Sequence, residues 1–151
     1  MLWRTRRQQG GFTLIELLIS VGLLAIVVSS TVAALITCMG LTSKSRNTHI
    51  AETAAIGLAE EIHSAPFPQL VDDYDDLNFA VNAIPSSRGV VNIDDTNSDL
   101  LQVTISVCWR QGTRLIGEDN NLNGALDANE DANANGIIDS PVQIVMQVAN
   151  R

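Results

Sequence analysis

The sequence predicts an α+β fold in which a long N-terminal membrane-spanning helix packs on a small antiparallel β-sheet. Residues 17–43 are uncharged and mostly apolar, and a helix that spans a bilayer needs only about 20 such residues. Helical spacing of apolar residues continues over residues 48–64. Residues 101–109 instead alternate between apolar and polar side chains, which is the period of a β-strand. The remaining length is sufficient for one small hydrophobic core.

The composition argues against two classes of protein. The chain carries nine basic and seventeen acidic residues, a net charge of −8, whereas nucleic-acid binding depends on Lys and Arg that neutralise phosphates. We therefore predict no nucleic-acid partner for the head, the part of the chain that follows the membrane helix. His49 and His63 are isolated and no catalytic group of residues is recognisable, so an enzyme is not predicted. Cys38 and Cys108 are too few for a disulfide framework, and we expect two free, buried thiols.

The apolar run begins just after a short basic leader with three arginines. The junction reads Gly11-Phe12-Thr13-Leu14-Ile15-Glu16, and Glu16 is the one charged residue in the apolar segment. An acid inside a membrane segment costs about 2.5–3.5 kcal/mol on insertion scales, so it indicates a function. The alternative is a plain membrane anchor in which Glu16 reaches out to the lipid headgroups.

This order of residues resembles the class III signal of type IV prepilins and pseudopilins. The resemblance implies that a prepilin peptidase cuts between Gly11 and Phe12 and methylates the new Phe12 amine. It also implies that the remaining helix packs with other pilins or pseudopilins in a filament, where Glu16 neutralises the Phe12 ammonium of a neighbouring subunit. Burying such a charge pair is far cheaper than burying either ion alone.

Two other signals compete with this interpretation. A secretory signal peptide has an apolar region of about 7–15 residues, and the run here is longer and contains Glu16. A lipoprotein signal would place its lipidated cysteine at Cys38, but Thr37 stands where a small residue is expected.

The basic leader sets the predicted topology. By the positive-inside rule the leader stays in the cytoplasm, so the chain crosses the bacterial inner membrane once. We expect a leader over residues 1–11, a transmembrane or filament-core helix over 12–40 and a periplasmic head over 41–151. After assembly the protein would lie in a pilus or pseudopilus or at the cell surface.

The helix is expected to continue through the membrane boundary to Ser64, because Pro66 and Pro68 prevent its extension. Major pilins usually carry a proline in this helix, and none occurs over residues 12–65. That difference favours a minor pilin or a pseudopilin. The acidic residues 72–76 that follow are expected to form a solvated loop, with an acidic contact or cation site as the alternative.

The predicted sheet has three or four antiparallel strands. Residues 90–93 form a short strand, 94–99 a turn, and 101–109 the clearest strand, with one buried and one wet face. A hairpin at Gln111 and Gly112 leads to a returning strand at 114–116. Alternation over residues 142–148 predicts the last strand.

An acidic repeat with a period of 12 residues occupies residues 118–142. Glu118-Asp119 matches Glu130-Asp131, and the Asn, Gly and Asp positions that follow match in the same way. Ca²⁺ takes six to eight oxygen ligands, which a loop supplies at alternating positions around a glycine. The pattern resembles an EF-hand loop, and the tandem arrangement resembles thrombospondin type 3 repeats even more closely.

The first loop, residues 119–130, offers a full ligand set: Asp119, Asn121, Asn123, the Ala125 carbonyl, Asp127 and Glu130 as the closing bidentate acid. The second loop, residues 131–142, offers Asp131, Asn133, Asn135, the Ile137 carbonyl and Asp139. Its twelfth position is Val142, so it lacks a closing acid of its own. We expect Ca²⁺ binding, and favour it over Mg²⁺ because the protein supplies an oxygen cage. The alternative is a disordered polar loop.

Together these observations predict a minor type IV pilin or pseudopilin, a structural subunit with a calcium-stabilised head. The alternative is a membrane-anchored surface adhesin or binding module that uses a pilin-type anchor.

Overall fold

The computed structural model describes residues 11–150, so that all of the predicted leader except Gly11 lies outside the described residues. The elements follow one another as α1 (Leu14–Ser64), a 3-10 helix (Phe67–Gln69), α2 (Leu70–Tyr74), β1 (Asn78–Phe79), β2 (Ser87–Asp94), β3 (Leu100–Gln111), β4 (Arg114–Ile116) and β5 (Gln143–Ala149).

Helix α1 begins and ends where local chemistry dictates. Thr13 precedes it, and the Thr13 Oγ1 accepts a hydrogen bond from the Glu16 N–H at 3.3 Å, which is the bond of a helix N-cap. The helix ends at Ser64, two residues before Pro66, as the sequence predicts.

The chain divides into two compact units, residues 1–42 and 43–151, and the division falls within α1.

In the first unit the apolar surface of α1 is uncovered. Every Val, Ile, Leu, Met and Phe side chain over residues 12–41 is between 49% and 82% exposed. By length and composition α1 is the one helix among residues 11–150 that could cross a membrane. These side chains are therefore available to lipid or to neighbouring helices.

The second unit is built around β3, the central strand of a five-stranded antiparallel sheet. Strand β2 pairs with β3 from Ser87↔Trp109 to Asp94↔Gln102, and β1 pairs with the outer edge of β2. On the other side of β3, β5 pairs with its first half and β4 with its end. The two-residue strand β1 was not predicted, which is why the sheet has more strands than expected.

The core lies between the last turns of α1 and one face of β3. The α1 residues Ala51, Ala55 and Ile62 are fully buried and belong to one hydrophobic cluster with the sheet. The β3 side chains in the same cluster are all 3% exposed or less: Leu101, Val103, Ile105, Val107 and Trp109. The long helix packed on a small antiparallel sheet confirms the predicted α+β fold.

The prediction that the opposite face of β3 is exposed to solvent is wrong for three of its four residues. Gln102 is exposed, but Thr104, Ser106 and Cys108 are 4%, 2% and 1% exposed. Near Cys108 the reason is the segment between β4 and β5, whose Ile138 packs against Cys108. The acidic loops thus cover part of the second face of the sheet.

Two smaller expectations are also corrected. Residues 72–74 lie in the short helix α2 and not in a loop, and the Asp75 carboxylate accepts the Ile93 N–H at 2.8 Å. Both cysteines are free as predicted, but Cys38 is exposed while Cys108 is buried. Burial raises the pKa of the Cys108 thiol, which keeps it protonated and unreactive at neutral pH.

Candidate functional site

The first candidate site is the start of α1. Phe12 is 81% exposed, and Glu16 lies in the first turn of the helix. A negative charge at this position interacts favourably with the helix dipole. Thr13 and Glu16 also have the spacing of a capping box, in which the N3 acid supports the helix start. The position of Glu16 in the first turn therefore suits a local role at the helix start, separate from any role in assembly.

The second candidate site is the acidic segment between β4 and β5. Its two ends are joined by a hydrogen bond from the Glu118 N–H to the Asp139 carbonyl at 2.9 Å. Two arginines on the sheet hold the first loop in place by donating to main-chain carbonyls. Arg88 on β2 donates to Leu122 O at 3.1 Å, and Arg110 on β3 donates to Asn120 O at 3.0 Å.

The 12-residue repeat of the sequence is accompanied by a repeat of the backbone φ angles. Leu122 and Ala134, 12 residues apart, have φ angles of 57° and 58°, and Gly124 and Gly136 have 80° and 79°. The left-handed region is costly for residues other than glycine, and such strain is concentrated at functional sites. The two loops therefore adopt the same unusual conformation.

Each loop begins with an aspartate that accepts two main-chain N–H groups. In the first loop Asp119 Oδ1 accepts from Asn123 at 3.1 Å and Asp119 Oδ2 from Gly124 at 2.8 Å. In the second loop Asp131 accepts from Asn135 at 3.0 Å and from Gly136 at 2.9 Å.

The middle of each loop gathers two asparagines around a later aspartate. Asn121 and Asn123 donate their side-chain amides to Asp127 Oδ2 at 2.7 and 2.9 Å. Their matches Asn133 and Asn135 donate to Asp139 Oδ2 at 2.6 and 2.9 Å.

The two residues predicted to supply carbonyls occupy matching positions. The Ala125 N–H donates to Asn123 Oδ1 at 2.7 Å, and the Ile137 N–H donates to Asn135 Oδ1 at 3.0 Å. All eleven predicted ligand residues thus fall within two loops of one geometry.

Two glutamates accept main-chain N–H groups of the loops: Glu130, the predicted closing acid of the first loop, and Glu118, for which no role was predicted. Glu130 accepts the N–H groups of Asn120 at 2.7 Å and Asp127 at 3.0 Å. Glu118 stands at the corresponding place of the second loop, whose own twelfth residue, Val142, is buried in the core. The match of Glu118 to Glu130 within the repeat was the signal that could have found it.

The first loop contains two buried acidic side chains that have no cationic partner among the described residues. Asp119 is fully buried and Glu130 is only 6% exposed, and within residues 11–150 the one ion pair found is His49 with Glu52, far from either acid in the sequence. Arg88 and Arg110 contact the first loop through the main-chain carbonyls of Leu122 and Asn120. Buried charges in proteins are generally paired or bound to a metal.

The donor set in these loops is mixed in character. Within the described part of the chain, no three His, Cys, Asp or Glu side chains lie close enough together to hold a metal ion. Each loop combines its carboxylates with asparagine amides. Neutral and charged oxygen donors of this kind suit a hard cation such as Ca²⁺.

Comparison with known proteins identifies the N-terminal segment. No curated protein and no solved structure matches the chain. The family described as the prokaryotic N-terminal methylation motif matches residues 6–37, which include the Gly11–Phe12 junction, Glu16 and much of the apolar helix. The match supports a membrane-anchored precursor of the type IV pilin or pseudopilin kind.

Proposed function

We propose that the chain is a minor type IV pilin or pseudopilin, a structural subunit of a pilus or a type II secretion-like filament, with a head stabilised by calcium. The observation that carries the proposal is the methylation motif at residues 6–37, followed by an apolar helix with exposed side chains. The absence of proline over residues 12–65 favours a minor subunit over the main one. Its partners are the prepilin peptidase, the inner membrane and other pilins.

Gly11 supports this proposal because the folded chain does not require glycine there. A Cβ at this position would have no described atom within 4 Å. A peptidase, however, must bind the backbone on both sides of the bond it cuts, and glycine leaves that backbone unobstructed. The requirement for a small residue at Gly11 therefore comes from processing.

We expect the mature protein to begin at Phe12 with one added methyl group. Intact-mass and N-terminal peptide mass spectrometry of the protein from its native membrane checks this. Gly11→Leu should abolish processing because its side chain obstructs the peptidase, while Gly11→Ala should be processed nearly as well as the wild type. An uncleaved leader in the wild-type protein, or an N-terminus at Cys38, would contradict the pilin proposal.

Calcium in the head accounts for the burial of Asp119 and Glu130. When bound, Ca²⁺ would neutralise acids that are otherwise withdrawn from water without a cationic partner. The first loop supplies side-chain oxygens from Asp119, Asn121 and Asn123 and, in addition, from Asp127 and Glu130. The loop covers Cys108 on the sheet, so an ion that orders the loop also stabilises the head.

We expect Ca²⁺ to raise the melting temperature of the full-length protein in detergent micelles. A ligand that binds only the folded state stabilises it by about 2.7 kcal/mol at one hundred times its dissociation constant. Asp119→Asn should remove most of this increase, because it keeps the shape of the side chain but removes its charge. Scanning calorimetry of each protein with Ca²⁺ and with chelator gives its calcium-dependent increase in melting temperature. Because each protein is compared with itself, a change in the stability of its calcium-free form does not affect this increase.

The exposed acid Asp95, between β2 and β3, provides the control. Asp95→Asn removes the same charge outside both acidic segments and should leave the calcium-dependent increase unchanged. Equal increases for the wild type and Asp119→Asn would sink the calcium proposal and leave the pilin proposal intact.

A further inference from the structure

Three exposed basic residues lie where the uncharged part of α1 joins the head. Lys44 and Arg46 are the first charged residues after the apolar run that ends at Ser43, and Arg114 lies on β4. We propose that these three residues, here called the basic patch, bind the phosphate groups of anionic lipids in the leaflet that faces the head. This inference rests on the proposed anchoring of α1 in the membrane.

Hydrogen bonds bring the hairpin between β3 and β4 to this part of α1. Gln111 Nε2 donates to Ser43 Oγ at 3.0 Å, and Asn47 Nδ2 donates to Gln111 Oε1 at 2.8 Å. Arg114 is the partner of Gln111 in the register of β3 and β4. Because residues directly opposite each other in an antiparallel pair lie on one face of the sheet, Arg114 lies on the α1 side, in the same region as Lys44.

The basic patch has no acidic partner among the described residues. Its three side chains are exposed, and the one ion pair found within residues 11–150 is that of His49 with Glu52. The sequence has no acid over residues 17–51 or over residues 100–117, which are the two segments that meet here. This part of an otherwise acidic head is therefore positively charged and suits an anionic partner.

The length of the uncharged segment places the basic patch at the level of the lipid headgroups. Residues 17–43 of α1 span about 40 Å at ~1.5 Å per residue. A bilayer is about 30 Å thick across its hydrocarbon core and about 40–45 Å thick with its headgroups. With Glu16 at one surface of the membrane, Lys44 reaches the other surface, where the lipid phosphates lie.

Membrane topology gives no reason for basic residues at this end of the helix. Lys and Arg near a membrane helix are concentrated on its cytoplasmic side, where the leader already supplies Arg4, Arg6 and Arg7. Lys44 and Arg46 stand on the opposite side and therefore weaken the orientation signal. Binding to anionic headgroups, which contributes about fivefold in affinity for each Lys or Arg near the surface, accounts for their position.

The test uses Lys44, the only lysine in the sequence, as a reporter of the basic patch. Peptide mass spectrometry measures how fast Lys44 of the full-length protein is acetylated in lipid nanodiscs. One set of nanodiscs contains phosphatidylcholine, and the other contains equal parts of phosphatidylcholine and phosphatidylglycerol. Because an ammonium bound to phosphate stays protonated and reacts slowly, acetylation should be at least ~5-fold slower with the anionic lipid. Equal rates in the two sets would overturn the inference.

Two variants separate binding by the basic patch from the general potential of an anionic surface. Arg114→Gln should reduce the protection of Lys44 at least ~2-fold, because fewer cations then hold the same phosphates. Gln147→Glu lowers the net charge by the same amount, but this exposed residue pairs with Gln102 near the other end of β3. It should keep the full protection. Protection that is the same in Arg114→Gln as in the wild type would show that the surface potential alone is responsible, and would contradict the proposal.

Further arms distinguish the possible sources of the anion. Inorganic phosphate added to the neutral nanodiscs should not protect Lys44, and protection equal to that by phosphatidylglycerol would show binding of the free anion instead of lipid. Protection in neutral nanodiscs that increases with the number of chains per disc would assign the basic patch to an acidic neighbouring head. Either result would overturn the lipid proposal. Failure of the chain to enter either set of nanodiscs would overturn the proposed membrane anchoring as well.

Discussion

Replacing Trp109 with alanine should remove a large part of the stability of the head. Trp109 is the largest fully buried side chain in the described structure and belongs to the hydrophobic cluster that joins the sheet to α1. Removing a buried tryptophan side chain costs about 3–5 kcal/mol, against a total stability of about 5–15 kcal/mol for a typical domain. The melting temperature should therefore fall by about 12 °C or more.

Trp109 also takes part in a set of hydrogen bonds that connects β3 to α1. Its Nε1 donates to Gln111 Oε1 at 3.3 Å, and the same oxygen accepts from Asn47 Nδ2 at 2.8 Å. Gln111 Nε2 donates in turn to Ser43 Oγ at 3.0 Å. The end of β3 is thus bound to α1 through one amide side chain, which Trp109 helps to orient.

Val145→Ala provides the control for this change. Val145 lies on β5 and is 55% exposed, so its truncation should cost less than about 1 kcal/mol. Scanning calorimetry of the full-length chains in detergent compares the two variants. A fall of less than ~4 °C for Trp109→Ala would mean that the cluster between α1 and β3 does not determine the stability of the head.

The buried face of β3 could be predicted because a strand's period is a local property. Leu101, Val103 and Ile105 alternate with polar residues, and each lies in the core as expected. The same pattern does not reveal what covers the other face. Thr104 and Ser106 are buried in spite of their polar side chains, and small hydroxyl groups of this kind occur on both wet and covered faces.

Strand β1 and helix α2, which are two and five residues long, escaped prediction for a related reason. Strand β1 consists of Asn78–Phe79 and exists only because β2 offers an edge to pair with. Gly89 on β2 faces the Phe79 ring so closely that a Cβ would overlap it. Helix α2, with Asp72 and Asp73 in its first turn, carries too little periodicity to be distinguished from an acidic loop.

Glu118 shows how a long-range contact can be missed although a signal for it is present in the sequence. A ligand pattern confined to each loop ends at Val142 in the second. The structure brings Glu118 to that loop because the ends of the segment are joined through the Glu118 N–H and the Asp139 carbonyl. A contact between residues 21 positions apart is set by tertiary structure, whereas the repeat only implies that an equivalent acid exists.

Removing the charge of Glu16 should prevent the subunit from entering filaments without affecting its processing. If Glu16 neutralises the Phe12 ammonium of a neighbour, Glu16→Gln leaves that ammonium buried and unpaired. Breaking a buried ion pair in this way costs about 3–5 kcal/mol, which corresponds to a loss of at least ~100-fold in incorporation. Immunoblots of sheared filaments, normalised to the subunit remaining in the membrane, measure the effect.

The local role of Glu16 at the helix start determines which variants separate assembly from capping. Glutamine can replace glutamate at the N3 position of a capping box, so Glu16→Gln preserves the helix start while it removes the charge. Thr13→Ala does the opposite, because it removes the Oγ1 that accepts the Glu16 N–H and leaves the carboxylate in place. We expect Thr13→Ala to be incorporated at nearly the wild-type level and Glu16→Gln to be excluded, both with a processed Phe12 terminus. If Thr13→Ala is excluded and Glu16→Gln is incorporated, Glu16 serves the helix start and not the contact between subunits.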